Sequence, residues 1–239
     1  MTVLNALMGV LAVLFAYQGL IRQAYLFLIG AAIFDKLDGA LARRLGLTEP
    51  SPRLGAASQV SLGAILDDIA DSVSFCLAPA LIFFTVLADF PDLVPGKNWV
   101  AAAALLYFFM GIGRLIYFTL DRAPIPGFFK GMPTPAAALL LVAPLLLFSQ
   151  AVGNSAELAR IWGMFSFATA IVASLAMNCY PVHYLHIGRF MDKNPWFGKA
   201  NILLLVVAVF SPYFGYIALM YLLLYLLSPI FTRRFEPVQ

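Results

Sequence analysis

The sequence predicts an all-α, polytopic membrane protein, a bundle of six core transmembrane helices followed by a C-terminal helical hairpin, eight spans in all. Three observations carry this expectation. Hydrophobic residues fill 62% of the 239 positions, charged residues only 11%, and the mean hydropathy is +0.90; a soluble domain of this size carries roughly a quarter charged residues. So large an apolar share cannot be hidden in one core, and lipid must act as solvent for much of the surface. The apolar residues also fall in runs close to the ~20 that a helix needs to cross hydrocarbon, and the connections between runs are short, polar and turn-rich.

Taken in order, the first run (3–20) is too long for a signal peptide, lacks its N-terminal positive charge and is followed by no small-residue cleavage site, so it reads as a first span. The second run (24–43) ends in "FDKLDGALAR", and the third (63–88) starts with "GAILDDIADSVSF". The fourth (99–120) carries Arg114. The fifth (134–152) follows the proline-rich turn "GMPTP" (131–135), and the sixth is 161–180. The stretch 200–231 is broken by "SPYFG" (211–215), a tight turn between two further spans. Residues 1–195 are thus expected to form the core, and 196–239 the hairpin with a basic tail.

Charge sets the orientation. With the N-terminus inside, the inner loops and tail collect ten basic residues (Arg43, Arg44, Arg53, Arg122, Lys130, Arg189, Lys193, Lys199, Arg233, Arg234) against three outside (Arg22, Lys97, Arg160). Both termini and the aspartate-rich ends of helices 2 and 3 are then expected in the cytoplasm, the chain being multi-pass in the cell (inner) membrane. A net charge of +3, spread over loops, is too small to point to nucleic acid. The cysteines, Cys76 and Cys179, fall in or beside spans and read as buried free thiols acting as small hydrophobes.

Carboxylates are the costly feature. A charged side chain within a span costs about 2.5–3.5 kcal/mol, and such residues usually mark function. Asp35 and Asp38 are three apart and Asp67 and Asp71 four apart, so each pair shares a helix face. Gly39, Ala42, Gly63 and Ala64 keep those faces low enough for a helix or ligand to approach. Turned together, the two faces would gather four carboxylates, which need compensation. Oxygen-only ligands suit Mg²⁺, Mn²⁺ or Ca²⁺ rather than zinc, and Arg43 could grip a phosphate bidentately. Asp–Arg pairs gluing helices and a cation or proton pathway are the competing readings; the pairing beside small residues favours an admitted ligand.

The pattern Asp35-x2-Asp38-Gly39-x2-Ala42-Arg43 … Gly63-x3-Asp67-x3-Asp71, eight specified positions, resembles the signature of the CDP-alcohol phosphotransferase family. It departs in one respect: nineteen residues (44–62) separate Arg43 from Gly63, where the family has about eight or nine, and the insert carries Pro50 and Pro52. A longer surface loop costs little. The resemblance implies a CDP-linked lipid whose pyrophosphate is bridged by two divalent metal ions (Mg²⁺ or Mn²⁺), attack by a small alcohol on the lipid-side phosphorus, and release of CMP. It implies Asp35, Asp38 and Asp67 as metal ligands, Asp71 as ligand and general base, and Asp38, Gly39, Ala42, Arg43 and Gly63 around the nucleotide. It also implies a homodimer.

For the acceptor, "VLNALMGVLAVLFA" (3–16), "LDDIADSVSFCLAPALI" (66–82) and "FFKGMPTPAAALLL" (128–141) resemble the phosphatidylserine synthase branch, which implies CDP-diacylglycerol and L-serine as substrates. Inositol phosphate, glycerol phosphate and choline are the alternative acceptors. That branch carries R-L-x-R-F-N at the end of the fourth helix; here "RLIYFT" (114–119) keeps Arg114 but has Tyr117 and Thr119 in place of the second Arg and the Asn. Arg114, buried in a span, needs an anionic partner; lipid phosphate or the serine carboxylate would serve it, and Lys130 could share that work from a loop folded over the site. Asn5 could hydrogen-bond into the aspartate cluster. Asp68 lies off the Asp67/Asp71 face and is expected to bond a neighbouring loop or helix, while His183 and His186 read as interfacial polar residues beside Tyr180 and Tyr184.

Overall fold

A computed structural model describes residues 2–44, 62–120, 125 and 127–232, with the backbone alone at 38–44, 62–64, 189, 192, 193 and 232. Residues 45–61 of the insert, Arg122, Arg233 and Arg234 lie outside the described residues. The order is α1 (Thr2–Tyr17), α2 (Ile21–Arg44), α3 (Leu62–Asp71), a π-helical turn (Ser72–Leu77), α4 (Ala78–Leu87), α5 (Lys97–Leu120), β1 (Phe128–Lys130), α6 (Thr134–Val152), α7 (Ala156–Met177), β2 (His183–Leu185), α8 (Ile187–Lys193), α9 (Pro195–Phe210), α10 (Phe214–Leu226) and α11 (Ser228–Thr232).

Five helical stretches are long and apolar enough to cross a membrane: Ile65–Leu87, Lys97–Leu120, Thr134–Val152, Ala156–Met177 and Phe214–Phe231. The protein is therefore all-α and of membrane type. Helices α1 and α9 have 16 residues each and fall short of a full span by length, and the charged end of α2 lowers its apolar share. The sixth run starts earlier than its hydropathy indicates. Polar Glu157 and Arg160 fall inside α7, because the Ser155 hydroxyl caps the helix by accepting from the Leu158 N–H at 3.3 Å. The break at 211–213 between α9 and α10 lies within "SPYFG".

Helix α6 is the hub. It buries every residue from Leu140 to Phe148, the signature of a helix surrounded by others. Helix α1 buries only a stripe of small residues, Asn5, Gly9, Ala12 and Ala16, at the spacing of one helix face. Small residues let backbones close up: a Cβ on Gly9 would stand 2.7 Å from Ser74 Cα, and one on Gly111 of α5 would stand 2.7 Å from Cys76 Sγ. The π-turn is thus clasped between α1 and α5.

Sequence explains why that turn needs the clasp. An α-helix would satisfy the Phe75 carbonyl with the N–H of residue 79, which is Pro79 and has none. The buried Tyr107 hydroxyl of α5 donates to that carbonyl instead, at 2.9 Å. At the opposite end of the bundle, Arg22 of α2 donates to the Val209 and Ser211 carbonyls and lies 5.5 Å from the Phe214 ring. It serves the carbonyls left over at the α9 C-terminus and pins the α9–α10 turn to α2.

Candidate active site

Two helices bring acidic side chains together. Asp35 projects from α2, and Asp67 and Asp71 project from α3; one carboxylate oxygen of each lies within 4.8 Å of the others. All three are half-buried. Helix periodicity puts Asp67 and Asp71 on one face of α3, and the clasped π-turn that starts at Ser72 fixes the end of the helix from which Asp71 projects. Helix α1 supplies a third side. The Asn5 amide, with 0% of its surface exposed, donates through Nδ2 to Asp71 Oδ1 at 2.7 Å. The backbone of Asn5 is held in turn, because Ser74 Oγ donates to its carbonyl at 2.8 Å. Asn5 Oδ1 is buried and has no hydrogen-bond partner among the described residues.

Asp38, Gly39, Ala42 and Arg43 continue α2 and Gly63 opens α3, but these residues are described as helical backbone only, and their side chains lie outside the description. Asp68 is turned to α5, where its Oδ2 accepts from the Thr119 hydroxyl at 3.0 Å. Thr119, the residue standing where an Asn was expected, therefore ties the end of α5 to α3.

Arg114 is buried (3% exposed) within α5, with Phe118 one turn on and its ring 5.4 Å away. Tyr117, in place of the expected second Arg, stacks on Tyr180 at 3.6 Å and 14°. The Tyr180 hydroxyl donates to Asn178 Oδ1 at 2.7 Å, and Asn178 Nδ2 donates to the Met110 carbonyl at 2.9 Å. Burial raises the Tyr180 hydroxyl above its ordinary pKa, and the Arg114 charge offsets part of that rise.

Lys130 sits on a feature that hydropathy does not reveal. Residues Phe128–Lys130 pair antiparallel with His183–Leu185, placing Lys130 opposite His183. The ribbon is seated on the end of α7. Gly131 N–H donates to the Val182 carbonyl at 2.8 Å and Met132 N–H to the Ala176 carbonyl at 2.9 Å. Gly131 has φ +72° and its Cα faces the Met177 carbonyl oxygen, so a side chain here meets both backbone strain and a clash. His186 stacks on Phe129 at 4.4 Å. Three-residue strands give too little alternation to be seen in sequence; the π-turn left one signal, Pro79.

Asp35, Asp67 and Asp71 offer oxygen only, at half-buried positions, with a neutral amide holding one carboxylate. That donor set fits a hard divalent cation and not a thiolate- or imidazole-loving one.

Comparison with known proteins agrees with the geometry. The sequence profile described as CDP-alcohol phosphatidyltransferase matches residues 1–176. A CDP-diacylglycerol–serine O-phosphatidyltransferase of Mycobacterium leprae is 34% identical over 154 residues, 62% of this chain and 45% of that protein. One of the same name from Mycobacterium bovis is 29% identical over 224 residues, 89% of this chain and 70% of that protein. An archaetidylserine synthase of Methanothermobacter thermautotrophicus is 26% identical over 175 residues, 73% of this chain and 66% of that protein. This chain thus spans about half the length of the first relative. With the profile covering α1 through nearly all of α7 and the three aspartates meeting inside it, the chain belongs to the CDP-alcohol phosphatidyltransferase family.

Proposed function

We propose that this protein transfers the phosphatidyl group of CDP-diacylglycerol to L-serine and releases CMP, acting at the cytoplasmic face of the cell membrane. The observation that carries the reading is the meeting of Asp35, Asp67 and Asp71 oxygens within 4.8 Å, on helices that bear the family's spacing. The serine acceptor is supported by the names of the mycobacterial relatives.

Asp35, Asp38, Asp67 and Asp71 are the residues that would hold two divalent ions, Mg²⁺ or Mn²⁺. When bound, such ions neutralise the charge spread over a transferring phosphoryl group. The chain's own residues do the rest. Gly39, Ala42 and Gly63 leave room for the nucleotide beside Asp38, and Arg43 grips a phosphate. Asn5 holds Asp71 Oδ1, fixing that carboxylate's orientation. Asp71 takes the proton from the serine hydroxyl as its oxygen bonds to the lipid-side phosphorus. The bond from that phosphorus to the bridging oxygen breaks, and CMP leaves with the electron pair. Arg114 and Lys130 bind the lipid phosphate or the serine carboxylate. Helices α1, α2 and α9 bring the five long spans to eight, residues 196–239 form an appended hairpin and tail, and the protein works as a homodimer.

The test is purified protein given CDP-diacylglycerol and Mg²⁺ or Mn²⁺ with L-serine, inositol phosphate, glycerol phosphate or choline in turn, following CMP. Serine-dependent release is expected. Release with only another acceptor overturns serine; none with any acceptor overturns the reaction.

A further inference from the structure

Behind the acidic cluster, on another face of α2, lies an apolar cavity of about 270 Å³ between α2, α6, α9 and α10. Tyr25, Ile29, Leu139, Met191, Leu205 and Ala218 are among its walls. Two of those helices, α9 and α10, follow the stretch matched by the family profile, which ends at 176. Helix α9 exposes Ile202, Leu203, Val206 and Val207, so the slot is set among surfaces built for hydrocarbon. Asn201 and Tyr221 are also among its walls, but the surface presented is overwhelmingly hydrocarbon, and apolar cavities take apolar ligands.

A cation stands above the slot. Tyr25, Ile29 and Lys36 share one face of α2, within about 40° at 100° per residue, whereas Asp35 is turned about 80–120° away from them. Lys36 lies about 10 Å beyond Ile29 along the helix axis, towards the end that carries the aspartates. Its position is tied to the slot through α8. A Cβ on Gly188 would stand 3.3 Å from Lys36 Nζ, and Met191, one turn further along α8, lines the cavity. The Lys36 ammonium thus lies against α8 at Gly188. An apolar slot with a basic lip between membrane helices matches an amphiphile whose head is anionic and whose tail is a hydrocarbon chain.

We propose that this slot holds one acyl chain of a resident anionic phospholipid of the bilayer, its phosphate at Lys36, separate from the lipid that reacts at the aspartates. The proposal is independent of the reaction assigned above, because its test contains no nucleotide lipid.

Purified protein is heated in detergent with dioleoylphosphatidylglycerol or with dioleoylphosphatidylcholine, and the Tm is followed. The anionic lipid is expected to raise Tm by several degrees and the zwitterionic lipid clearly less. Lys36→Gln is expected to erase the difference between the two lipids, and Ala218→Phe, which fills the slot, to erase the gain from both. If Ala218→Phe does not fold, Leu205→Phe on α9 takes its place. Equal gains from both lipids in the unaltered protein, or an undiminished anionic gain in Lys36→Gln, would overturn the proposal. Full stabilisation in a slot-filled variant would also overturn it.

Discussion

At the scale of single residues, the site separates aspartates that neighbour one another in sequence. Asp67 and Asp71 face Asp35, while Asp68 faces Thr119, because one step along a helix turns a side chain by about 100°. Asp71→Asn keeps the shape but removes a proton acceptor, so CMP release should fall about 10²- to 10⁴-fold. In Asp68→Asn the amide oxygen still accepts from Thr119, so turnover should stay close to normal. Equal losses in both variants would mean that helix geometry does not sort their roles. In the proposed reaction Asn5 would act as a positioning residue, since its amide touches Asp71. Asn5→Ala should cost about 10- to 100-fold in turnover, the usual effect of removing the group that orients a ligating carboxylate. The same change should raise the concentration of Mg²⁺ needed for half-maximal CMP release; a merely structural role would lower Tm and leave that requirement alone.

At the scale of elements, the π-turn is the device that makes Asp71 available. Its carbonyl at Phe75 depends on Tyr107, from a helix that begins at Lys97. Tyr107→Phe deletes a donor to a buried carbonyl, a penalty of about 1–3 kcal/mol. For a protein of this size each kcal/mol corresponds to about 2–4 °C in Tm, readable by thermal unfolding in detergent; an unchanged Tm would show that the turn does not rely on α5. These elements also show what the sequence makes legible. The apolar runs and the aspartate spacing could be read because helix period and span length are local properties, which is why the α9–α10 break and the Asp67/Asp71 face match expectation. The convergence of Asn5 on Asp71 could be foreseen only as one option for a polar residue in a first helix. The β1–β2 ribbon escaped notice because strands of three residues carry no period, and because Lys130 is seated by Gly131 and Met132 bonding residues more than forty positions away, Val182 and Ala176. The π-turn escaped because its clasp, Gly9 on one side and Gly111 on the other, comes from two distant helices.

For the whole molecule, the decisive quantity is which end of the bundle faces the cytoplasm. Ten basic residues against three argue that the aspartate end is inside, and the fold puts a natural reporter there. Cys76 is buried under Gly111 as expected, but Cys179 is exposed rather than buried, because α7 ends at Met177 and leaves it in the connection to β2, beside the ribbon that carries Lys130. A thiol reagent that cannot cross the bilayer should therefore react with one cysteine, and only from one side. Inverted membrane vesicles should be labelled at Cys179, intact cells stripped of their wall should not, and Cys76→Ser should change neither result. Asn154 is exposed in the turn between α6 and α7, at the other end of both helices. Asn154→Cys in a Cys179→Ser background should give the reverse pattern. Cys179 labelling in intact cells would turn the molecule over, placing the carboxylates on the side away from cytoplasmic CDP-lipid and serine, and the reaction proposed for them would then have no access to its substrates.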